Sequence, residues 1–311
     1  MMSNIPDRNS RPSFLAPGNW LGFLALMIMV IAARLPWRVQ YVLGYYLIGP
    51  LAYTFASTRR KAAEVNIRLC FPQLSEEGRR NLVNAHFRAL GIGIFEFGRA
   101  WWGRISPIAK VTRIEGLEYL QQYQAQGRGV LLISGHFTTL EICGRLLCEY
   151  ATVSGMYRPH RHPVMEWAIT QGRLRYAQHM FANAQMRAAI RYLKSGGFLW
   201  YAPDQDMRGK QSVFAPFFGV PASTITATHQ LARMTGCAVV PFYHQRIGSH
   251  YVLKISPKLE NFPTQDAVAD TARINAAIAA MVTEAPDQYL WIHRRFKRQP
   301  NGAPSLYASQ K

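Results

Sequence analysis

The run Ser134-Gly135-His136-Phe137-Thr138-Thr139-Leu140-Glu141 sets an imidazole and a carboxylate five residues apart. In a regular helix, positions at that spacing point about 140° from each other and do not meet. They can meet if His136 lies in a turn before the helix, which Gly135 makes feasible, and its ring folds back onto Glu141 in the first turns. Glu141 would then hold one ring nitrogen and leave the other free to accept a proton. Such a pair suits an alcohol nucleophile, which is protonated at neutral pH and needs a base as it attacks; a positioned base contributes about 10²–10⁴ in rate. Taken alone, His136 reads first as a satisfied buried histidine, and the flanking blocks reverse that balance. The chain has no G-x-S-x-G elbow, so a serine acyl-enzyme is not indicated, and Ser134 reads as structural.

To hold that pair, a strand must end where a helix begins. Gly129 to Ser134 is an apolar run of strand length, and Thr139 to Tyr150 reads as the helix after it. The alternation continues: strands at Thr152–Tyr157 and Phe198–Ala202, the latter ended by Pro203; helices around Met165–Met180 and Gln185–Lys194, the latter closed by Ser195-Gly196-Gly197. A long loop through Pro221 precedes a helix from Ser223 to Gly236, strands Cys237–Tyr243 and Tyr251–Ile255, and an Ala-rich helix over 265–284. Residues 62–102 read as helices interrupted at Pro72, the second opening at Ser75-Glu76-Glu77. Alternation of this kind predicts a three-layer α/β domain over 62–311 with a largely parallel sheet, in which ligands sit beyond the carboxyl ends of the strands.

Ahead of that domain, after a tail over 1–13, Phe14 to Ala33 carries no charge. Roughly 20 apolar residues span the ~30 Å hydrocarbon core, so 14–33 is expected to be a membrane anchor helix, with Trp20 at one interface and Arg34, Trp37 and Arg38 at the other. No small-residue cleavage site follows, against a cleaved signal peptide. Residues 34–61, softened by Gly44, Gly49 and Pro50, are an interfacial or core helical segment, and Arg59-Arg60-Lys61 places the body of the protein on the cytoplasmic side. Lys and Arg number 36 against 17 Asp and Glu, a net charge of +19 that calls for an anionic partner. Without a basic arm, zinc-finger spacing or ribonucleoprotein motif, nucleic acid is not that partner. The four cysteines are scattered among apolar neighbours, with neither disulfide nor metal spacing.

The H-x-x-x-x-E block resembles the signature of the lysophospholipid acyltransferase superfamily, and the ordered set of further blocks resembles the bacterial lipid A late acyltransferases. Those blocks are Gly135-His136-Phe137-x-x-Leu140-Glu141, Tyr157-Arg158-Pro159, Pro203-Asp204-Gln205-Asp206, Phe214-x-Pro216-Phe217-Phe218-Gly219 with Pro221, Arg233, Val240-Pro241 and Trp291-x-His293-Arg294-Arg295-Phe296. The resemblance covers nearly the whole chain. It implies a glycerolipid-acyltransferase-like domain that needs no cofactor or metal, at the bacterial inner membrane, single-pass or monotopic, with its catalytic domain facing the cytoplasm. It implies acyl transfer from the thioester of acyl carrier protein to a hydroxyl of a hydroxyacyl chain on a lipid A precursor. His136 would be the general base, Glu141 its orienting partner, and Arg158 the side-chain donor to the oxyanion, with backbone N–H groups as the alternative.

The precursor carries phosphates and acyl carrier protein is acidic, so cationic residues are the candidate contacts. Arg161 belongs to the dense turn Arg158-Pro159-His160-Arg161-His162; Arg173, Arg175, Arg187, Arg191, Arg208 and Lys210 extend the basic surface. Arg233 and Arg294 belong to matching blocks, and Asp206 could bind acceptor hydroxyls or fix its loop. The block Asp204-Gln205-Asp206 stands where glycerophosphate acyltransferases carry E-G-T-R, which argues against a glycerol phosphate acceptor. Two other readings stay open: acylation of another glycolipid or of an ornithine lipid, and a non-catalytic basic membrane scaffold.

Overall fold

Every side chain from Val130 to Ile133 is buried, which a strand achieves only when layers cover both of its faces. The computed structural model, which describes residues 12–207, 209 and 211–307, shows that arrangement. Its strands in chain order are β1 (Arg113–Glu115), β2 (Val130–Ile133), β3 (Val153–Tyr157), β4 (Met180–Ala182), β5 (Phe198–Tyr201), β6 (Ser212–Phe217), β7 (Val220–Ile225), β8 (Ala238–Ile247) and β9 (His250–Ile255). Seven form one sheet in the order β1-β9-β8-β2-β5-β3-β4. Neighbours run parallel except β8 and β9, a hairpin that turns β9 and β1 against the rest.

The helices are α1 (Trp20–Ala32), α2 (Trp37–Leu43), α3 (Gly49–Phe55), α4 (Ser57–Cys70), α5 (Glu76–Trp102), α6 (Ser106–Ala109), α7 (Leu117–Ala125), α8 (Leu140–Leu147), α9 (Pro163–Arg173), α10 (Met186–Lys194), α11 (Ala227–Thr235) and α12 (Ala267–Glu284). Alternation along β2 divides two cores. Leu131 and Ile133 pack with residues of α4, α10, α11 and α12, whereas Val130 and Leu132 pack with α7, α8 and the end of α5. The Ser75 side chain accepts from the Gly78 N–H to start α5, and Asp266 accepts from Val268 and Ala269 to start α12.

Two expectations change here. The segment read as a long loop up to Pro221 holds the antiparallel hairpin β6–β7, and the helix read from Ser223 opens only at Ala227. Strand residues such as Phe214 and Val220 sit among Pro216, Pro221 and Gly219, whose turn signals masked the pairing.

The anchor expected over 14–33 is corrected. The helix there, α1, has 13 residues, about 20 Å of rise against a hydrocarbon core of ~30 Å. No helix among the described residues is long and apolar enough to cross a membrane. A 3-10 turn at Pro17–Asn19 and a break at Arg34–Pro36 set its limits. One face of α1 packs on α5 and α9, and Gly98 lets Met29 and Ala33 approach closely. The other face leaves Leu21, Leu24, Ile28 and Ile31 exposed. Residues 37–55 behave likewise: Gly44 and Gly49 press on α5, while Val42, Tyr46, Leu47 and Phe55 point outward. Gln40 and Arg99 pin this layer, with Arg99 Nε donating to Gln40 Oε1 at 2.8 Å and Gln40 Nε2 donating to the Ala32 carbonyl at 2.6 Å.

Candidate active site

Parallel neighbours β2 and β5 deliver their following residues to one end of the sheet. After β2 the chain turns through Ser134 and Gly135 to His136; after β5, Pro203 stops the strand and Asp204 follows. The His136 backbone N–H donates to Asp204 Oδ2 at 2.8 Å, and His136 Nδ1 lies 2.6 Å from Asp204 Oδ1. One carboxylate therefore fixes both the backbone and the ring of the histidine, which leaves Nε2 for a substrate. Burial opposes the charge on Asp204, but the attraction of His136 and its two hydrogen bonds outweigh burial and hold the carboxyl far below the usual range. From the opposite side, Leu290 N–H donates to the His136 carbonyl at 2.9 Å and Thr138 N–H to the Gln288 carbonyl at 2.8 Å. The turn bearing His136 is thus clamped along its backbone.

Glu141 does not take the place expected for it. It is buried in the first turn of α8 and bonded to residues of α5 and of the end of α9 rather than to the histidine. Its carboxylate accepts from Trp101 Nε1 at 2.8 Å, from Tyr176 Oη at 3.1 Å and from Arg173 through Nε and Nη2. Burial raises the cost of its charge, yet Arg173 and these donors more than offset that and lower its pKa. Spacing within one segment does not reveal this, because Asp204 reaches the ring across the sheet from the end of β5. Glu141 instead joins helices: Gly172 lies so close to Trp101 that a Cβ there would meet the indole at 2.5 Å.

His136 and the Glu141–Arg173 pair border one groove of about 500 Å³. His136, Glu141, Arg158, Arg173 and Gln205 supply its polar wall, and its apolar wall runs from Met29 of α1 along Leu90, Ile94 and Phe97 of α5 to Trp200. His136 and Trp200 meet edge to face, with centroids 6.4 Å apart. The strip is suited to a long aliphatic chain laid beside an imidazole and two guanidinium groups.

The remaining candidates separate. Arg158 is exposed and lines the groove. Arg161 lies in the same turn but does not line it, and Arg187 on α10, Arg233 on α11 and Arg294 near the C-terminus are exposed elsewhere. Asp206 is spoken for by its own loop: it pairs with Arg298, and its N–H donates to His293 Nε2 at 3.2 Å. Arg208 and Lys210 lie outside the described residues. Arg295, neighbour of the expected Arg294, is buried instead and donates to the Ser223 carbonyl at 2.7 Å and Thr224 Oγ1 at 2.6 Å. No group of three or more His, Cys, Asp or Glu among the described residues could hold a metal.

A family model for bacterial lipid A biosynthesis acyltransferases matches residues 8–298. The chain belongs to that family. It is accordingly an acyltransferase. The lipid A biosynthesis lauroyltransferase of Escherichia coli K12 is 39% identical over 309 residues, covering 98% of this chain and 100% of the relative. The lipid A biosynthesis palmitoleoyltransferase of the same organism is 39% identical over 306 residues, covering 97% and 99%. A solved 1-acyl-sn-glycerophosphate acyltransferase from Thermotoga maritima aligns over 86% of this chain and 98% of its own at 15% identity, with a TM-score of 0.38. In this lipid A acyltransferase, then, His136, Glu141 and Arg158 do share one groove, but the carboxylate on the histidine belongs to Asp204.

Proposed function

We propose that this lipid A acyltransferase moves a fatty acyl chain from the thioester of acyl carrier protein to a hydroxyl of a hydroxyacyl chain on a lipid A precursor, with His136 as general base. The observation that carries this reading is the bond of Asp204 to His136, which lies in the wall of a mostly apolar groove. As the acceptor hydroxyl attacks the thioester carbonyl, its proton passes to His136 Nε2. Asp204, bonded through Nδ1, fixes the ring and stabilises the imidazolium. Arg158 and Arg173 border the space where the carbonyl oxygen becomes an oxyanion and are the side-chain donors at hand. When the tetrahedral adduct collapses, the C–S bond breaks and the carrier thiolate takes the proton back from His136. Glu141, saturated by Arg173, Trp101 and Tyr176, acts on this site by holding Arg173 in the groove wall.

The catalytic body rests on a bilayer through α1–α3. Leu21, Leu24, Ile28, Ile31, Val42, Leu47 and Phe55 form the apolar contact, and Arg34, Arg38 and Arg59 beside them meet anionic headgroups at the cytoplasmic surface. A chain that lies in the interface needs no spanning length, and the groove lined by Met29 opens next to that layer.

Purified protein, acyl carrier protein thioester and lipid A precursor test the reading together, with product identified by mass spectrometry. Transfer to the precursor that disappears in His136→Ala is the expected result. Turnover of a mannosylated phosphoinositide or an ornithine lipid in place of the precursor would overturn the acceptor, and undiminished transfer by a folded His136→Ala would overturn the base.

A further inference from the structure

Directly beneath the turn that carries His136 lies a second histidine, His244 of β8, 4% exposed. Its Nε2 is 3.1 Å from Ser134 Oγ and its Nδ1 is 3.0 Å from Thr139 Oγ1. Ser134 is the first residue after β2, and Thr139 is the last before α8. A single imidazole therefore bridges the two ends of the six-residue segment 134–139, with His136 between them. Phe137 packs on the same ring edge to face, with centroids 5.3 Å apart. Both hydroxyls are fully buried, so each needs a partner, and the rigid ring sets the separation between them.

We propose that His244 is a positioning residue for acyl transfer: by bridging Ser134 and Thr139 it holds the turn at the width that keeps His136 on Asp204 and in the groove. The inference rests on the reading of His136 as base. The clamp from residues 288–290 fixes the outer side of the turn, and Asp204 fixes the ring. His244 fixes the inner side through the two hydroxyls, beside the single backbone bond from the Ser134 N–H to the Tyr201 carbonyl at 3.2 Å. A neutral imidazole suits the task because its two nitrogens present one donor and one acceptor to two hydroxyls that can each rotate to match. Ser134 thereby has a role beside the catalytic histidine without being a nucleophile, since its Oγ is turned into the sheet.

The test measures kcat and KM separately for His244→Leu, Ser134→Ala, Thr139→Val and the double variant Ser134→Ala/Thr139→Val, with folding followed by circular dichroism and Tm. Displacement of a reacting group by about 1 Å costs up to about a hundredfold in rate. His244→Leu is expected to lose about ten- to a hundredfold in kcat with KM little changed. The double variant should match it. His244→Gln places an amide near Nε2 and should recover part of kcat when Ser134 is present and none when Ser134 is Ala. Should His244→Leu fail to fold, the hydroxyl variants carry the test alone. Folded variants with wild-type kcat, whatever their Tm, overturn the proposal. His136→Ala, run beside them, separates the two ideas: if it abolishes transfer while the His244 set does not lower kcat, only the positioning role falls.

Discussion

Replacing Asp204 by Asn and Glu141 by Gln in separate proteins should give two different kinds of damage. Asp204→Asn keeps the shape of the side chain and an oxygen for the His136 N–H, but removes the charge opposite the imidazolium that forms during transfer. If His136 is the base, kcat should fall by about 10²–10⁴, the usual contribution of a positioned base, with a change in Tm of only a few degrees. Glu141→Gln removes the one carboxylate that Arg173 pairs with and leaves a largely buried guanidinium uncompensated. Breaking a buried pair from one side costs about 3–5 kcal/mol. In a domain of this size or somewhat smaller, about 2–4 °C of Tm is lost per kcal/mol, so Tm should drop by roughly 10 °C. Below that Tm, kcat should fall less than in Asp204→Asn. Differential scanning fluorimetry and initial rates with acyl carrier protein thioester give both readings from one preparation. The division of roles is refuted if Glu141→Gln melts like the parent and loses as much kcat as His136→Ala, because Glu141 would then be the partner of the base.

Three further outcomes follow from the same geometry. Burial lowers the pKa of His244 to about 3 and of His86 to about 4 from an ordinary 6.5. The unfolded chain therefore takes up protons below pH 6.5 that the folded chain refuses, and stability falls as pH drops from 6.5 towards 4. At pH 5 each histidine should cost about 2 kcal/mol relative to neutral pH, read as a lower Tm that His244→Leu makes less steep. Gly172→Ala should lower stability by about 1–3 kcal/mol through overpacking, since its Cβ would meet the Trp101 ring that donates to Glu141; chemical denaturation measures it. Leu24→Glu with Ile28→Glu should weaken sedimentation with anionic vesicles by at least about tenfold, because each buried leucine or isoleucine contributes about 1.5–3 kcal/mol, while transfer to detergent-dispersed acceptor is retained.

Much of the architecture was legible because its cause is local. The apolar run from Gly129, the stops at Pro203 and Gly236 and the helix start at Ser75 act within a few residues of themselves, so the strand-helix alternation could be read from one dimension. The ordered blocks likewise resembled the acyltransferase family, and Gly135 made a turn at His136 feasible. The β6–β7 hairpin was hidden because proline and glycine there give the signals of a loop, while the pairing that makes it a hairpin is between strands. The length of the N-terminal helix was overestimated because hydropathy records which residues are apolar, not whether a neighbour such as α5 covers half of them.

The pair proposed for catalysis divides along the same line. His136 could be singled out from its own segment, and so could the apolar strand and the glycine that deliver it. Its partner could not. Asp204 is 68 residues away along the chain and reaches the ring because β2 and β5 lie side by side, and Glu141 is drawn off by Arg173, Trp101 and Tyr176 from three other places. A carboxylate close in sequence competes with any carboxylate close in space, and which one bonds the imidazole depends on strand order and helix packing. Sequence alone singled out His136 and pointed to the family; only the folded sheet decided which carboxylate holds the ring.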